Sequence, residues 1–258
     1  MKRPAFRFAE SAADRFLSAH LSNAEYNRIV WTIYPHVWRL GSLAGVTKPR
    51  ETVSGDVLGE EWGSRAWVSE VLDQFVFPYV SADSTVAEIG VGGARIATQV
   101  APRVGAFYGL DVSKGMLHKA RRMLADYDNV SLVRLKRPES PPWLRGRVDF
   151  VYAFDVFVHF DLHTTWKYVG LMDELLRPGG RALVHVASLK SPLGWERFSH
   201  QKAFSVGGLY WQCPELVEIM ADHAGFVKVA ESTPDPRNEY LGRDHLAVLE
   251  KVGAEPAD

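Results

Sequence analysis

A glycine-rich turn between a predicted strand and a predicted helix constrains this chain more than any other feature. Thr85–Ile89 is a short run of β-forming residues, and Gly90, Gly92 and Gly93 follow it. Glycines at such a junction let the backbone approach a ligand closely, because they carry no Cβ atom and tolerate positive φ angles. In α/β folds, ligands bind beyond the carboxyl ends of the strands, which is where this turn lies.

Strands and helices alternate after the turn. Further strands are predicted at Ala106–Leu110, Val130–Leu135, Val148–Phe154 and Ala182–Val186. Helices are predicted between them, at Ala94–Ala101, at Ser113–Tyr127 with Ser113 as its cap, and after a cap at Asp161. This alternation predicts a parallel sheet with helices on both faces. Two last strands, Phe226–Glu231 and His245–Lys251, are predicted with no helix between them, so we expect them to pair antiparallel.

The first 80 residues are predicted to be helical and precede this alternation. Apolar residues recur at helical spacing from Tyr26 to Ile33, and Pro35 is the expected end of that helix. A second amphipathic helix is expected to end before Pro78. Residues 41–60 are rich in Gly, Ser and Thr, and we expect them to form an exposed connection.

Two acids and one arginine indicate which ligand suits the glycine turn. The dinucleotide pattern G-x-G-x-x-G/A fails because its sixth position is Arg95, whose long side chain would obstruct close helix–strand packing. Glu88 would repel a phosphate but suits a cationic ligand. Asp111 ends the next strand, where nucleotide-binding α/β folds hold a ribose diol. S-adenosylmethionine, a nucleoside with an ammonium and a sulfonium, fits this pattern. Alternatively, the glycine turn could be a tight turn that binds no ligand, and Asp111 could be a solvated residue that closes its strand.

These residues resemble motif I of the Rossmann-like, class I S-adenosylmethionine-dependent methyltransferases, in which an acid is followed by G-x-G-x-G. Ala94 replaces the third glycine. Asp111-Val-Ser resembles the ribose-binding segment of the family, Asp149–Asp155 resembles motif IV, and Leu176–Gly180 resembles the turn before the fifth strand. The resemblance covers roughly residues 80–190 and includes four motifs in the family's order.

The resemblance implies a Rossmann-like three-layer α/β sandwich with a mostly parallel seven-stranded sheet and an antiparallel C-terminal strand. It implies a helical cap or lid over residues 1–80 and a methyltransferase domain over 81–252, with an acceptor-side insertion at 188–212. We expect 253–258 to be a flexible tail. With S-adenosyl-L-methionine as the implied cofactor, the expected contacts are Glu88, Gly90, Gly92, Gly93, Asp111, Val112, Leu135, Lys136 and Phe154.

His159 and Asp155, just after the fourth strand, are the predicted catalytic residues. A hydroxyl acceptor must lose its proton, and an imidazole suits this task because its pKa lies near neutrality. His159 also matches the place of a histidine in many small-molecule O-methyltransferases, although it could instead cap a helix or pack under the lid. Asp155 could orient that imidazole, or bind a divalent metal together with Asp161, which leaves a Mg²⁺ requirement open. His185 is a weaker candidate base.

We expect an O-methyltransferase that acts on a hydroxyl of a small or medium acceptor, with a saccharide or an oligosaccharide favoured over an aromatic polyketide. Aromatic residues of the cap and the insertion suit sugar rings or planar natural products; they are Trp62, Trp67, Trp195, Tyr210 and Trp211. The alternatives are a C- or N-methyltransferase for a natural product and a non-catalytic regulatory module that binds S-adenosylmethionine.

Composition argues against several other classes of protein. The chain is 47% hydrophobic and 24% charged with a net charge of −1, so no overall field attracts nucleic acid. Its apolar stretches are broken well before the ~20 residues that a membrane span needs. The single Cys213 rules out an internal disulfide and a zinc site built from cysteines. We therefore expect a cytoplasmic protein with neither a nucleic-acid nor a membrane partner, and predict no oligomeric state.

Overall fold

A computed structural model of the protein describes residues 20–43, 63–201 and 209–253, with 35–43 described by their backbone only. The helices are α1 (Asn23–Leu43), α2 (Arg65–Phe75), α3 (Ala97–Val100), α4 (Lys114–Met123), α5 (Leu162–Leu175), α6 (Pro192–His200), α7 (Pro214–His223) and α8 (Glu239–Arg243). The strands are β1 (Thr85–Ile89), β2 (Ala106–Asp111), β3 (Val130–Arg134), β4 (Val148–Tyr152), β5 (Leu176–Ser188), β6 (Trp211–Gln212), β7 (Phe226–Glu231) and β8 (Asp244–Lys251).

The strands form one sheet in the order β3-β2-β1-β4-β5-β8-β7, with β6 paired to the end of β5. Neighbouring strands are parallel except at β8, which pairs antiparallel with β5 and β7. The predicted Rossmann-like fold is confirmed, and the two-residue β6 is an addition that the sequence did not predict. Strand order reverses between β1 and β4, and the loops that follow those two strands flank a crevice there.

Apolar side chains cover both faces of the sheet, as expected for strands that lie between two layers of helices. Neighbouring residues of β1 point to opposite faces: Val86 belongs to the core beneath α2, and Ala87 belongs to the core beneath α5. Full burial of one large aliphatic or aromatic side chain contributes about 1.5–3 kcal/mol. The two cores therefore fix β1 and β4 from both sides and hold their carboxyl ends in place.

Three sequence predictions about helices need correction. Helix α1 does not end at Pro35 but continues to Leu43, because a proline removes one ladder hydrogen bond without forbidding the turns beyond it. A helix, α8, does lie between the last two strands; its five residues are too few to show a helical period. The helix predicted over Ala94–Ala101 contracts to α3 followed by a 3₁₀ turn.

Two predicted helix caps are present next to the crevice. The Ser113 hydroxyl accepts a hydrogen bond from the Met116 amide at 3.2 Å and begins α4. The Asp161 carboxylate accepts one from the Thr164 amide at 2.7 Å and begins α5. Each cap pairs a backbone N–H group that the first turn of a helix cannot satisfy. Across the ranges with assigned structure, no helix combines the length and the apolarity that crossing a bilayer requires.

Asn238 connects the N-terminal part of the chain to its C-terminal part. Its side chain is fully buried, and its oxygen caps α8 by accepting a hydrogen bond from the Tyr240 amide at 3.0 Å. Its amide nitrogen donates to the Trp67 carbonyl at 3.1 Å and to the Glu70 carboxylate at 2.9 Å, both on α2. One side chain thus fixes α2 against α8.

We expect Asn238→Ala to lower the free energy of unfolding by about 2–3 kcal/mol, because it removes a helix cap and two buried donors. Asn238→Asp keeps the capping oxygen but places a second carboxylate beside Glu70, so it should cost at least as much. Urea denaturation of the two variants measures both effects. A loss under about 0.5 kcal/mol in either variant would contradict this role.

Candidate functional site

A cavity opens at the carboxyl ends of β1, β2 and β4, with a volume of about 970 Å³ including the space at its mouth. The predicted cofactor residues that line it are Glu88, Gly90, Gly92, Gly93, Asp111, Val112, Leu135 and Phe154. Both predicted catalytic residues, His159 and Asp155, line it too. Lys136 does not line the cavity; it is exposed and follows the buried Leu135 just beyond the end of β3.

The glycine loop adopts the left-handed backbone that its sequence predicts. Gly90 and Gly92 have φ angles of 75° and 52°. A Cβ atom on Gly90 would lie 2.4 Å from a methyl carbon of Val156, so only glycine fits beside the loop that follows β4. Ala94, at the third glycine position of the motif, also has a positive φ of 72°, a conformation that costs a residue with a Cβ atom about 1–2 kcal/mol.

Glu88 is a buried acid at the floor of the cavity. Its carboxyl is 2% exposed and accepts a hydrogen bond from the Tyr152 hydroxyl at 2.9 Å. Burial raises the pKa of Glu88 well above its usual value, although the Tyr152 hydrogen bond and the Arg95 charge oppose the shift. A buried carboxyl of this kind favours either a proton or a cationic ligand, and an ammonium group therefore fits this position.

Asp111 is the second buried acid of the cavity. Its two oxygens accept backbone hydrogen bonds from Gly92 at 2.9 Å and from Ser113 at 2.7 Å. Burial raises its pKa to about 6, against these hydrogen bonds, so the carboxylate form dominates at neutral pH. Each carboxylate oxygen can accept more than one hydrogen bond, and a ribose diol is a donor that fits.

Asp155 lies at the centre of a buried ionic network. Its φ angle is 58°, which is uncommon for a residue other than glycine. One carboxylate oxygen lies 2.7 Å from the Arg95 guanidinium and the other lies 3.7 Å from that of Arg243. Burial alone would raise the pKa of Asp155, but neighbouring positive charge, that of Arg95 first, outweighs it and lowers the pKa.

His185 belongs to the same network and is poorly suited to be a catalytic base. Its side chain is fully buried. Nδ1 accepts a hydrogen bond from the Asp155 amide at 3.1 Å, and Nε2 lies 2.8 Å from the Asp244 carboxylate. Both ring nitrogens are therefore engaged in holding the strained backbone of Asp155 against β8.

Asp155, His185 and Asp244 also place three possible metal ligands within 4.8 Å of one another. The Asp155 carboxylate already pairs with the Arg95 guanidinium, and the Asp244 carboxylate pairs with that of Arg243. A divalent cation would have to displace these groups or lie against them, so the donor set does not fit a resident metal. Asp161, the other acid considered for Mg²⁺, caps α5 instead.

His159 ends a 3₁₀ turn beyond β4, where α1 packs over it. Its ring lies 5.1 Å from the Trp31 ring, centroid to centroid. Its backbone carbonyl accepts hydrogen bonds from the side-chain amides of Asn23 at 3.2 Å and Asn27 at 3.0 Å. Helix α1 and the segment that carries the imidazole are therefore joined directly.

The aromatic residues predicted to contact an acceptor lie elsewhere. Trp67 packs against the core under α2, and Trp195 is 59% exposed on α6. Neither they nor Tyr210 and Trp211 line the cavity. Trp62 and most of the predicted connection at 41–60 lie outside the described residues.

Sequence reasoning missed several residues of the site. In the sequence, Arg95 is only a departure from a dinucleotide pattern, yet it pairs with Asp155 in the structure. Arg28 and Trp31 line the cavity from α1, and their spacing with Ala24 and Asn27 on one helical face was the available signal. Arg243 reaches Asp155 from a distant part of the chain, and no local pattern could have indicated this pair.

A known protein family matches the part of the chain that supplies most of the residues lining the cavity. Residues 86–180, from β1 into β5, match a family described as a methyltransferase domain. No curated protein matches the chain in sequence.

Solved structures share the fold at low sequence identity. Magnesium protoporphyrin IX methyltransferase from Synechocystis PCC 6803, with bound S-adenosylhomocysteine, is 16% identical with a TM-score of 0.64, over 89% of this chain and 100% of that one. A putative methyltransferase from Haloferax volcanii, solved with the Trm112 methyltransferase activator, is 17% identical with a TM-score of 0.60, over 77% and 94%. An S-adenosylmethionine-dependent methyltransferase from Aquifex aeolicus is 15% identical with a TM-score of 0.52, over 72% and 89%.

Binding of the expected cofactor should release protons, because an ammonium beside Glu88 favours the carboxylate over the protonated form that burial favours. Calorimetry with S-adenosylhomocysteine at pH 7 should give a binding enthalpy that differs between Tris and phosphate, corresponding to a fraction of one proton. Glu88→Gln should remove most of this difference, leaving a remainder from Asp111. Equal enthalpies in the two buffers for the wild-type protein would contradict the role of Glu88.

Proposed function

We propose that this S-adenosylmethionine-dependent methyltransferase, which has the class I fold, transfers a methyl group to a hydroxyl of a small or medium acceptor, with His159 as the general base. The observation that carries the proposal is the shared cavity. The His159 imidazole lines the same space as Glu88 and the glycine loop, and it lies against Trp31.

The cofactor supplies a sulfonium-bound methyl group that a nucleophile displaces in line. Glu88 would hold its ammonium group, and Asp111 would accept hydrogen bonds from its ribose hydroxyls. Gly90 and Gly92 allow the backbone to approach it. Alignment of donor and acceptor contributes about 7–11 kcal/mol at best. Trp31, over the cavity, would exclude water from the reacting atoms.

His159 would take the proton of the acceptor hydroxyl as the new bond to carbon forms. A positioned base of this kind contributes about 10²–10⁴-fold in rate. We assign Asp155 a positioning role, because arginines face both of its carboxylate oxygens. Through its backbone it shapes the segment from Phe154 to His159, and through Arg95 it fixes the glycine loop beside that segment.

We propose a saccharide as the acceptor, from the residues that line the cavity around His159. The acceptor side of the cavity combines apolar surface, from Trp31, Val156 and Phe160, with the polar groups of Asn27 and His159. A saccharide, which has apolar C–H faces and hydroxyls at its edge, suits such a lining. A planar natural product also fits its apolar part. Screening both classes for release of S-adenosylhomocysteine would distinguish these acceptors.

His159→Ala should lower kcat by about 10²–10⁴-fold and leave the affinity for S-adenosylhomocysteine unchanged. The rate of the wild-type enzyme should rise with pH through one ionisation that the variant lacks. Acceptor turnover and its pH profile measure both effects. More than about a tenth of wild-type kcat in the variant would exclude a base role, and loss of wild-type activity in EDTA would assign deprotonation to a metal-bound acceptor.

Cofactor binding should also protect α1 against amide hydrogen exchange. The amides of Asn23 and Asn27 bond to the His159 carbonyl, so ordering of the cavity and docking of α1 are coupled. Exchange in residues 23–34 should slow when S-adenosylhomocysteine binds, while β8 serves as an internal reference. Equal exchange in α1 with and without the ligand would make this helix a fixed structural element.

A further inference from the structure

We propose that Arg28, on α1 and outside the matched methyltransferase domain, binds the carboxylate at the amino-acid end of the cofactor. Helix α1 turns one face to the cavity, and this face carries Ala24, Asn27, Arg28 and Trp31. Arg28 lines the cavity and is itself exposed, so its charge stays hydrated in the ligand-free protein. The inference rests on the cofactor and is independent of the acceptor.

The charges around the cavity leave this cation available. In the part of the chain that the structure describes, two arginines line the cavity, Arg28 and Arg95. Arg95 is committed, because it donates hydrogen bonds to the Asp155 carboxylate at 2.7 Å and to the Tyr240 hydroxyl at 2.9 Å. Among the described residues, no carboxylate lies within ion-pairing distance of Arg28. Glu25, one helical turn earlier, is hydrogen-bonded to Ser22 and attracts Arg28 only weakly.

The cofactor carries the complementary charge. S-adenosylmethionine ends in an amino acid, and its ammonium would lie at Glu88, on the floor of the same cavity. The adjacent carboxylate would lose hydration on entering the cavity, and an unpaired carboxylate there is costly. The guanidinium of an arginine can pair with it through two parallel hydrogen bonds.

Backbone groups near the glycine loop are poor substitutes for Arg28. The Gly92 amide already donates to the Asp111 carboxylate at 2.9 Å. Helix α3, which follows the loop, has four residues, so its N-terminus contributes little positive potential.

Asn27, next to Arg28, donates to the His159 carbonyl at 3.0 Å. A carboxylate on Arg28 would therefore hold α1 against the segment that carries His159.

The experiment compares two ligands that differ only in the carboxylate, S-adenosylmethionine and its decarboxylated form, by calorimetry on the full-length protein. Arg28→Met, which keeps an apolar stem, should weaken S-adenosylmethionine about tenfold or more, as expected for loss of a charge-assisted pair. It should weaken the decarboxylated ligand by less than about threefold. Arg28→Lys should recover part of the loss. Arg122→Met, an exposed arginine on α4 that does not line the cavity, is the matched control and should change neither affinity.

Two results would overturn the proposal. S-adenosylmethionine affinity in Arg28→Met within about threefold of wild type would show that the carboxylate does not pair with Arg28. Equal weakening of both ligands would show that Arg28 acts only through the position of α1. Failure of the wild-type protein to bind either ligand would instead overturn the cofactor assignment, and with it this proposal.

Discussion

A buried ion pair between Arg95 and Asp155 holds together the two loops that form the cavity. Arg95 follows the glycine loop after β1, and Asp155 follows β4, so the pair spans the point where strand order reverses. Removing one partner of a buried pair typically costs about 3–5 kcal/mol, because it leaves an uncompensated charge. Arg243, the last residue of α8, and His185, on β5, attach the pair to those two elements. The left-handed backbone of Asp155 persists because these contacts hold it.

At Glu88 and Asp111, the burial that suits ligand binding lowers the stability of the fold when the acids are ionised. Burial raises the pKa of Glu88 and of Asp111, so the ligand-free fold favours their protonated forms. The stability that such a group contributes is full below its unfolded pKa and is lost as pH rises through the folded pKa. For Asp111 that window runs from about pH 4 to about pH 6. At neutral pH the fold therefore keeps Asp111 as a costly carboxylate whose ribose partner would arrive with the ligand, a cost that functional sites commonly impose on a fold.

Local pattern predicted the central part of the molecule, and contacts between distant segments decided the rest. The strands, the glycine turn and the caps at Ser113 and Asp161 follow from sequence, because each depends on neighbouring residues. The prediction that α1 ends at Pro35 is wrong, because a proline weakens a helix without always ending it. The pairing of Asp155 with Arg243 could not be predicted, because it depends on how β8 inserts beside β5. The contribution of α1 to the cavity likewise depends on tertiary packing.

The matched methyltransferase domain ends at residue 180, whereas α1, β6 and α8 all lie outside it. The glycine loop lies inside the matched stretch, but the face of α1 that carries Arg28 and Trp31 lines the same cavity. A fragment limited to residues 86–180 would therefore keep the glycine loop and lose one wall of the cavity. Any helix grafted in place of α1 would have to keep Asn23 and Asn27, whose side-chain amides join it to the His159 carbonyl.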